Sequence, residues 1–516
     1  MKEFIDYINH LNDQTDESSF NTKMWYVNNL NKVPLPDPQV MYEDGVYYIV
    51  GTTDTNIKVI DCYSTTDFVN FTCHEKIYDP SLYNGWEAEN PLIFAAELYK
   101  LEGRYYLYYS AESKYDRLRY CSVVVADNPL GPYLPIVNET VDGLNHPVFE
   151  SLGKDLLDAT IFIDDDNKMY MYLVQQSKLQ HLTGVEMINP YTAKEETYTK
   201  LVLPAYQTPE SDKQELYWEL FRDCDYKINE APFMLKHGGK YYMTYSANGC
   251  WNKYYNVCYA VSDSPLSGFV KPYEEGKIWT NLLMGYPGEE GPNTLLAKQW
   301  DGFASGCAHH SFFYIGDQLM IGYHSQINRT WNGENWVARY FALDYVHFGE
   351  NGVPFINGPT FSLQPLPEAI SGYKNIAKNA LIKTENVINS GGINDDYVVS
   401  YYNLNSPSNE VLLGKGTSVV EFEFDKEYTI GGIAIYNSAY YEKMIEEVNY
   451  IDFGNGNVIY NAKFNKAHYV KDDLKFIYPN SAITLELLKE FKTNKIKICF
   501  NLENGGNINE IKILAK

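Results

Sequence analysis

Gly103-Arg104-Tyr105-Tyr106-Leu107-Tyr108-Tyr109 is a turn residue followed by an aromatic-rich strand, and the chain returns to this unit four more times. It reads Asp44-Gly45-Val46-Tyr47-Tyr48-Ile49-Val50, then Asn167-Lys168-Met169-Tyr170-Met171-Tyr172, then Gly239-Lys240-Tyr241-Tyr242-Met243-Thr244-Tyr245, and last Gly316-Asp317-Gln318-Leu319-Met320-Ile321-Gly322-Tyr323. Glycine and asparagine supply the positive φ of a tight hairpin, and aromatic residues favour the pleated surface that follows. The turn residues at 45, 103, 167, 239 and 316 lie 58, 64, 72 and 77 positions apart. A compact four-stranded propeller blade takes roughly 40 residues. Five longer units therefore predict an all-β chain built on a five-bladed β-propeller with long loops.

An apolar strand precedes each turn and carries one ionisable residue at a similar offset. These are Asp37 (8 before Gly45), Glu97 (6 before Gly103), Asp158 (9 before Asn167), Glu230 (9 before Gly239) and His309 (7 before Gly316). The first strand of every blade lines the central channel, so the five are expected to meet at one axis. A single carboxylate in an apolar strand is costly to bury, whereas four with a histidine make a polar well. The flanks Leu35-Pro36-Asp37-Pro38, Leu157-Asp158-Ala159-Thr160-Ile161-Phe162 and Asn229-Glu230-Ala231-Pro232-Phe233 surround the charges with apolar or rigid residues, as pKa tuning requires.

Glycoside hydrolysis needs two such carboxyl groups across a sugar, one protonated to donate to the leaving oxygen and one ionised to activate water or attack carbon. A third carboxylate beside the acid raises its pKa. Other chemistries find little footing. His309-His310 is the only adjacent histidine pair, no Gly-x-Ser-x-Gly elbow is present, and there is neither a P-loop nor a Gly-x-Gly-x-x-Gly opening a helix.

Composition points the same way. Across 516 residues, 42 Lys+Arg against 67 Asp+Glu give a net charge of −25, which repels phosphate backbones and anionic lipid. No nucleic-acid or membrane partner is expected. The 47 tyrosines suit strands and the handling of a neutral, hydroxyl-rich ligand. The start, Met1 to Ile8, lacks a secretory apolar run and reads as a short amphipathic helix through Phe4, Ile5, Ile8 and Leu11. The eight cysteines match no zinc spacing and are read as mostly reduced core residues, so a cytoplasmic location is expected, or a secreted one if a signal was removed.

At these residues the sequence resembles glycoside hydrolase family 43, five-bladed propellers that hydrolyse arabinosides, xylosides and related furanosides with inversion. The match covers roughly residues 30 to 362. The resemblance implies that Asp37 is the general base, Glu230 the general acid, and Asp158 the residue that keeps Glu230 protonated and orients the sugar. Inversion implies carboxyls roughly 6.5 to 9.5 Å apart. No cofactor is required. Gly306-Cys307-Ala308-His309-His310-Ser311 is similar to the family's segment whose histidine often sits near a structural Ca2+ or Na+ at the axis, which makes His309 the candidate metal neighbour, although Ala308 stands where the family has glycine. Phe94-Ala95-Ala96-Glu97 occupies the place of the family's Trp-Ala-Pro-Glu, so Phe94 and Glu97 are candidate substrate contacts, with Trp86 and Arg339. The substrate partner is an oligosaccharide; oligomeric state is open. The alternatives are a retaining fructosidase- or sucrase-like enzyme, prompted by Phe221-Arg222-Asp223, and a non-catalytic glycan-binding propeller, which would predict loss of one of the three acids.

The expected domains are an N-terminal extension (1–30), the propeller (31–362) and a β-sandwich (370–516). Val419-Val420-Glu421-Phe422-Glu423-Phe424 and Gly431-Gly432-Ile433-Ala434-Ile435-Tyr436 alternate like sandwich strands, and the module weakly resembles galactose-binding or discoidin-like jelly rolls. All eight tryptophans (25, 86, 218, 251, 279, 300, 331, 336) precede it, which puts structural bracing ahead of sugar binding. Trp86, Trp218, Trp251 and Trp331 are candidate walls of a sugar subsite.

Overall fold

The computed structural model describes residues 7–9, 22–28, 33–53, 56–136, 145–205, 216–219, 227–251, 254–274, 280–285, 304–327, 339–360, 362–398, 410–464, 467–469, 474–476 and 482–516. The repeats form five antiparallel blades. Blade one is Gln39–Glu43, Val46–Val50, Ile60–Thr65 and Thr72–Tyr78. Blade two is Ile93–Leu101, Arg104–Glu112, Arg119–Ala126 and Leu134–Pro135. Blade three is Leu156–Ile163, Met169–Gln175 and Leu179–Asn189, with Thr192–Ala193 and Thr199–Val202 on its outer edge. Blade four is Lys227–His237, Lys240–Ala247, Asn256–Ser262 and Leu282–Met284, and blade five is Ala304–Ile315, Gln318–Ile327, Arg339–Phe348 and Pro354–Ile356. Each blade's first strand touches that of the next, and blade five returns to blade one.

The repeated tyrosines are packing residues. Tyr106, Tyr108, Tyr109, Tyr172, Tyr242, Tyr245 and Tyr323 are all buried. Three of them also satisfy buried carboxylates: the Tyr109 hydroxyl donates to Glu87 (2.5 Å), Tyr245 to Glu219 (2.7 Å) and Tyr323 to Asp344 (2.8 Å). Part of the acid excess is thus structural, since a buried carboxylate survives only with such donors.

The segment before blade one latches the ring. Phe341 N–H of blade five donates to Val33 O (2.9 Å), and Asn28 brackets Leu343, donating to its carbonyl and accepting from its amide at 3.0 Å each. Further upstream, Tyr7–Asn9, which falls within the expected amphipathic helix, is a strand antiparallel to Leu485–Leu487. A segment below about 12 residues is too short for a helix to hold itself in water, and an open sheet edge offers the backbone ready partners. Phe4, Ile5 and Leu11 lie outside the described residues.

The C-terminal module is all-β. Gly416–Asn437 and Ala482–Leu502 are long strands broken by bulges, for example between Glu423 and Tyr428. Both halves of each contribute to one aliphatic core, with Phe422, Ile433, Ile483, Ile498 and Ile513 fully buried. The sheet therefore folds over on itself around its own interior, as in a sandwich.

A seam joins the two units. Trp25–Tyr26 pairs with Gln364–Pro365, so the sequence before and after the propeller forms one two-stranded strap. Met24, Trp25, Leu363, Val398, Ala434, Tyr436, Ala482 and Leu514 share an apolar cluster beneath it. Tyr436 donates to Gln364 (2.7 Å), Asn357 to Asp396 O (2.9 Å), and the Tyr397 hydroxyl to Phe348 O (2.9 Å). This continuous contact is what a bracing module needs. Trp25→Ala should lower the unfolding free energy by about 3 to 5 kcal/mol, the usual cost of emptying a buried tryptophan site. A urea titration checks this, and an unchanged midpoint would show that the seam does not depend on the indole.

Candidate active site

One non-glycine residue in or beside each inner strand adopts positive φ: Asp37 (57°), Ala95 (45°), Asp158 (53°), Ala231 (50°) and His309 (41°). An L-residue pays roughly 1 to 2 kcal/mol for this conformation, so its recurrence in all five blades is a built feature. In blades two to five it coincides with a break in register against the second strand. A bulge of this kind re-aims a side chain and ends the ladder. It also corrects the sequence alignment of the well. Asp37, Asp158 and His309 are repeat equivalents, but alanine fills that position in blades two and four, with Glu97 two residues later and Glu230 one residue earlier.

Asp37 sits at the centre of a cationic grip. Its Oδ1 is 3.0 Å from Arg339 Nη1 and 3.1 Å from His309 Nδ1, and its Oδ2 accepts from Thr52 Oγ1 at 2.6 Å. Burial alone would raise its pKa, yet the charges of Arg339 and His309 outweigh burial and hold it well below the ordinary value. Reciprocally, burial disfavours a charged His309, but Asp37, Asp158 and Glu230 raise its pKa to about 9, so the ring is a cation at neutral pH. His324, kept neutral by burial, accepts the Asp37 amide N–H at Nδ1 (3.1 Å).

Asp158 and Glu230 form the opposite pole. Burial raises both, and for Glu230 the neighbouring Asp158 charge raises it further, to about 7. Asp158 is restrained by His309 and by the Ala231 N–H, which donates to its Oδ2 at 2.9 Å. Of the two, Glu230 is raised by its neighbour's charge, which favours the proton there, while Gln180 donates to Glu230 Oε2 at 2.6 Å. One axis thus holds an ionised carboxylate and a protonated one, the two states that acid–base cleavage of a glycoside requires.

The remaining residues singled out in sequence fall into different places. Glu97 lies two residues beyond the strained Ala95, bonded by the Tyr99 hydroxyl, and burial raises it to about 7. Phe94 is half-buried with the Arg119 guanidinium 4.7 Å from its ring centroid. Arg339 reaches the site through Asp37. Trp86 is buried against Tyr109 and Tyr120, and Trp218 is buried with its indole N–H on Asn281 (2.8 Å). Trp251 is 51% exposed and follows Cys250, whose thiol feels Arg339, Glu230, Asp37 and Asp158. Trp331 and Phe221-Arg222-Asp223 lie outside the described residues. Thr52, His324, Gln180 and Arg119 were not found from sequence. For Thr52 a signal existed, because it falls seven residues after its turn, as Ser110 and Ser246 do after theirs.

Among the described residues no three His, Cys, Asp or Glu side chains are grouped to hold a metal, and His309 Nδ1 is engaged by Asp37.

A family model described as glycosyl hydrolases family 43 matches residues 26–354, more than half of the chain. The chain belongs to this family. It is 29% identical over 182 residues to a β-xylosidase of Xylanibacter ruminicola, covering 33% of this chain and 52% of that protein. It is 26% identical over 331 residues to a β-D-galactofuranosidase of Aspergillus niger, covering 61% of this chain and 80% of that one. The chain thus spans about half the length of the first relative. A crystal structure of a thermostable family-43 glycoside hydrolase superposes with a TM-score of 0.52 at 24% identity, over 66% of this chain and 99% of the other, which supports the propeller fold.

Proposed function

We propose that this protein is an exo-acting, inverting glycosidase that removes terminal arabinofuranose, xylose or related galactofuranose residues from short oligosaccharides. The observation that carries the reading is the sorting of protons across the axis: Asp37 ionised among cations, Glu230 protonated beside Asp158. Glu230 gives its proton to the departing glycosidic oxygen. Asp37 takes a proton from a water that attacks the anomeric carbon from the opposite face, and the bond to the leaving group breaks as the new C–O bond forms. His309 and Arg339 fix the base, and Thr52 holds its second oxygen. Exposed Trp251 and the Phe94–Arg119 pair are suited to stacking against a sugar face. The names of the relatives, a β-xylosidase and a β-D-galactofuranosidase, support the pentose and furanose range. Among the described cysteines, Cys62, Cys73, Cys121, Cys258, Cys307 and Cys499 are free thiols, which suits a reducing compartment and small imported substrates. Among the described residues, no helix is long and apolar enough to cross a membrane.

The test is a panel of 4-nitrophenyl α-L-arabinofuranoside, β-D-xyloside and β-D-galactofuranoside, with NMR detection of the first anomer released. Hydrolysis of at least one with an inverted first product is expected. No release from any, or a retained first product, would overturn the proposal.

A further inference from the structure

Four of the five strained amides are satisfied by a relay that runs around the ring. In each case the acceptor is offered by the second strand of the preceding blade or the residues that continue it, from the position opposite the one just before that blade's own strained residue. Thr52 Oγ1 of blade one accepts from Ala95 of blade two (2.9 Å), and Ser110 Oγ of blade two from Asp158 of blade three (3.2 Å). Ser246 Oγ of blade four accepts from His309 of blade five (2.8 Å), and His324 Nδ1 of blade five from Asp37 of blade one (3.1 Å). The missing link is blade three to blade four. There the equivalent residue is Val174, fully buried and paired with Leu157, and its side chain has no acceptor to offer. The amide left over, Ala231 N–H, is the one that donates to Asp158 Oδ2.

We propose that Val174 is a positioning residue for the acid catalyst: by withholding an inter-blade acceptor it assigns the Ala231 amide to Asp158, and so pins the Asp158 carboxylate beside Glu230. A buried amide without a partner is costly, so it takes whichever acceptor is in reach. A hydroxyl at position 174 would compete with Asp158 for it. Asp158 would then lose the donor that stabilises its anion and fixes its rotamer, and Glu230 would lose part of the like charge that keeps its proton in place. The other groups that face Glu230 are Gln180 from blade three, Tyr255 and Cys250 from blade four, His309 from blade five and Asp37 from blade one. None of them uses the Ala231 amide.

The inference rests on Glu230 being the general acid, and leaving-group dependence separates the two claims. A poor leaving group needs the acid; 2,4-dinitrophenolate departs without it. Val174→Thr and Val174→Ser place the hydroxyl that Thr52, Ser110 and Ser246 already carry at this position, while Val174→Ala removes methyls and adds no acceptor. Val174→Thr and Val174→Ser should lower kcat/KM roughly tenfold on a 4-methylphenyl glycoside, a fraction of the whole worth of a general acid, and leave the 2,4-dinitrophenyl glycoside of the same sugar near wild type. Val174→Ala should keep the wild-type ratio between the two substrates. Equal ratios in all three variants, whether wild-type or altered, would overturn the positioning role. If Val174→Thr fails to fold, the smaller Val174→Ser carries the comparison. Rates on the two glycosides that do not change when Glu230 is replaced by glutamine would instead remove the acid reading, and the proposal with it.

Discussion

Asp37→Asn is expected to cost about three orders of magnitude in kcat/KM, within the range of roughly 10²–10⁴ for general-base catalysis, and to cost it equally on poor and activated leaving groups. On the proposed inverting route the attacking water must lose a proton, however readily the aglycone departs. The asparagine is nearly isosteric. It still offers an oxygen to Arg339 and His309, and its amide can face Thr52, so the strained backbone should persist. What disappears is the negative charge. Arg339 is 7% exposed and Asp37 lies at its Nη1, so the guanidinium would be left with a neutral partner in a buried site. Losing one member of such a pair destabilises by about 3 to 5 kcal/mol. His309 can relieve part of this by shedding its proton, because Asp37 is the largest influence raising its pKa. Stability and kcat must therefore be measured separately. Activity within tenfold of wild type in a folded Asp37→Asn protein would take Asp37 out of the base role.

The hairpins and the site were legible in the sequence to different depths, for physical reasons. A propeller blade is local: turn and strand lie within a dozen residues, so Gly103 followed by Tyr105 to Tyr109 reads as a hairpin wherever it occurs. Asp37, Asp158 and Glu230 announced themselves as charges in apolar strands. The strained positions did not, because Ala95 and Ala231 carry no side-chain trace of positive φ, and their equivalence to Asp37, Asp158 and His309 appears only once the strands are in register. Without that register Glu97 looks like a fourth member of the same layer, whereas it lies beyond the bulge under Tyr99. The cross-blade bonds join residues 43 to 287 positions apart, a separation that no local pattern encodes. Tyr7–Asn9 shows the same limit: its partner strand is at the other end of the chain.

Glu230→Gln should divide substrates as sharply as Asp37→Asn treats them alike. Glutamine keeps an oxygen for Gln180 to donate to but has no proton to give. The loss on a 4-methylphenyl glycoside is expected to approach roughly 10³-fold, the worth of a general acid, with the 2,4-dinitrophenyl glycoside losing little. The pH profile gives an independent reading. On the proposed mechanism, wild-type kcat/KM requires ionised Asp37 and protonated Glu230. Asp37 is held far below its ordinary range, so the acidic limb lies low, and Glu230 at about 7 sets an alkaline limb above which activity falls. Glutamine removes that limb, leaving the residual rate flat through neutrality. Stability changes in the same window and with a definite sign. The folded protein binds the Glu230 proton more tightly than the unfolded chain, whose ordinary value is 4.5, so wild-type stability declines as pH rises from about 4.5 through about 7. Glu230→Gln cannot lose that proton and should show a shallower decline. An alkaline limb that survives in Glu230→Gln would assign the titration to another group of the same cluster, with Glu97, also raised to about 7, the first to replace.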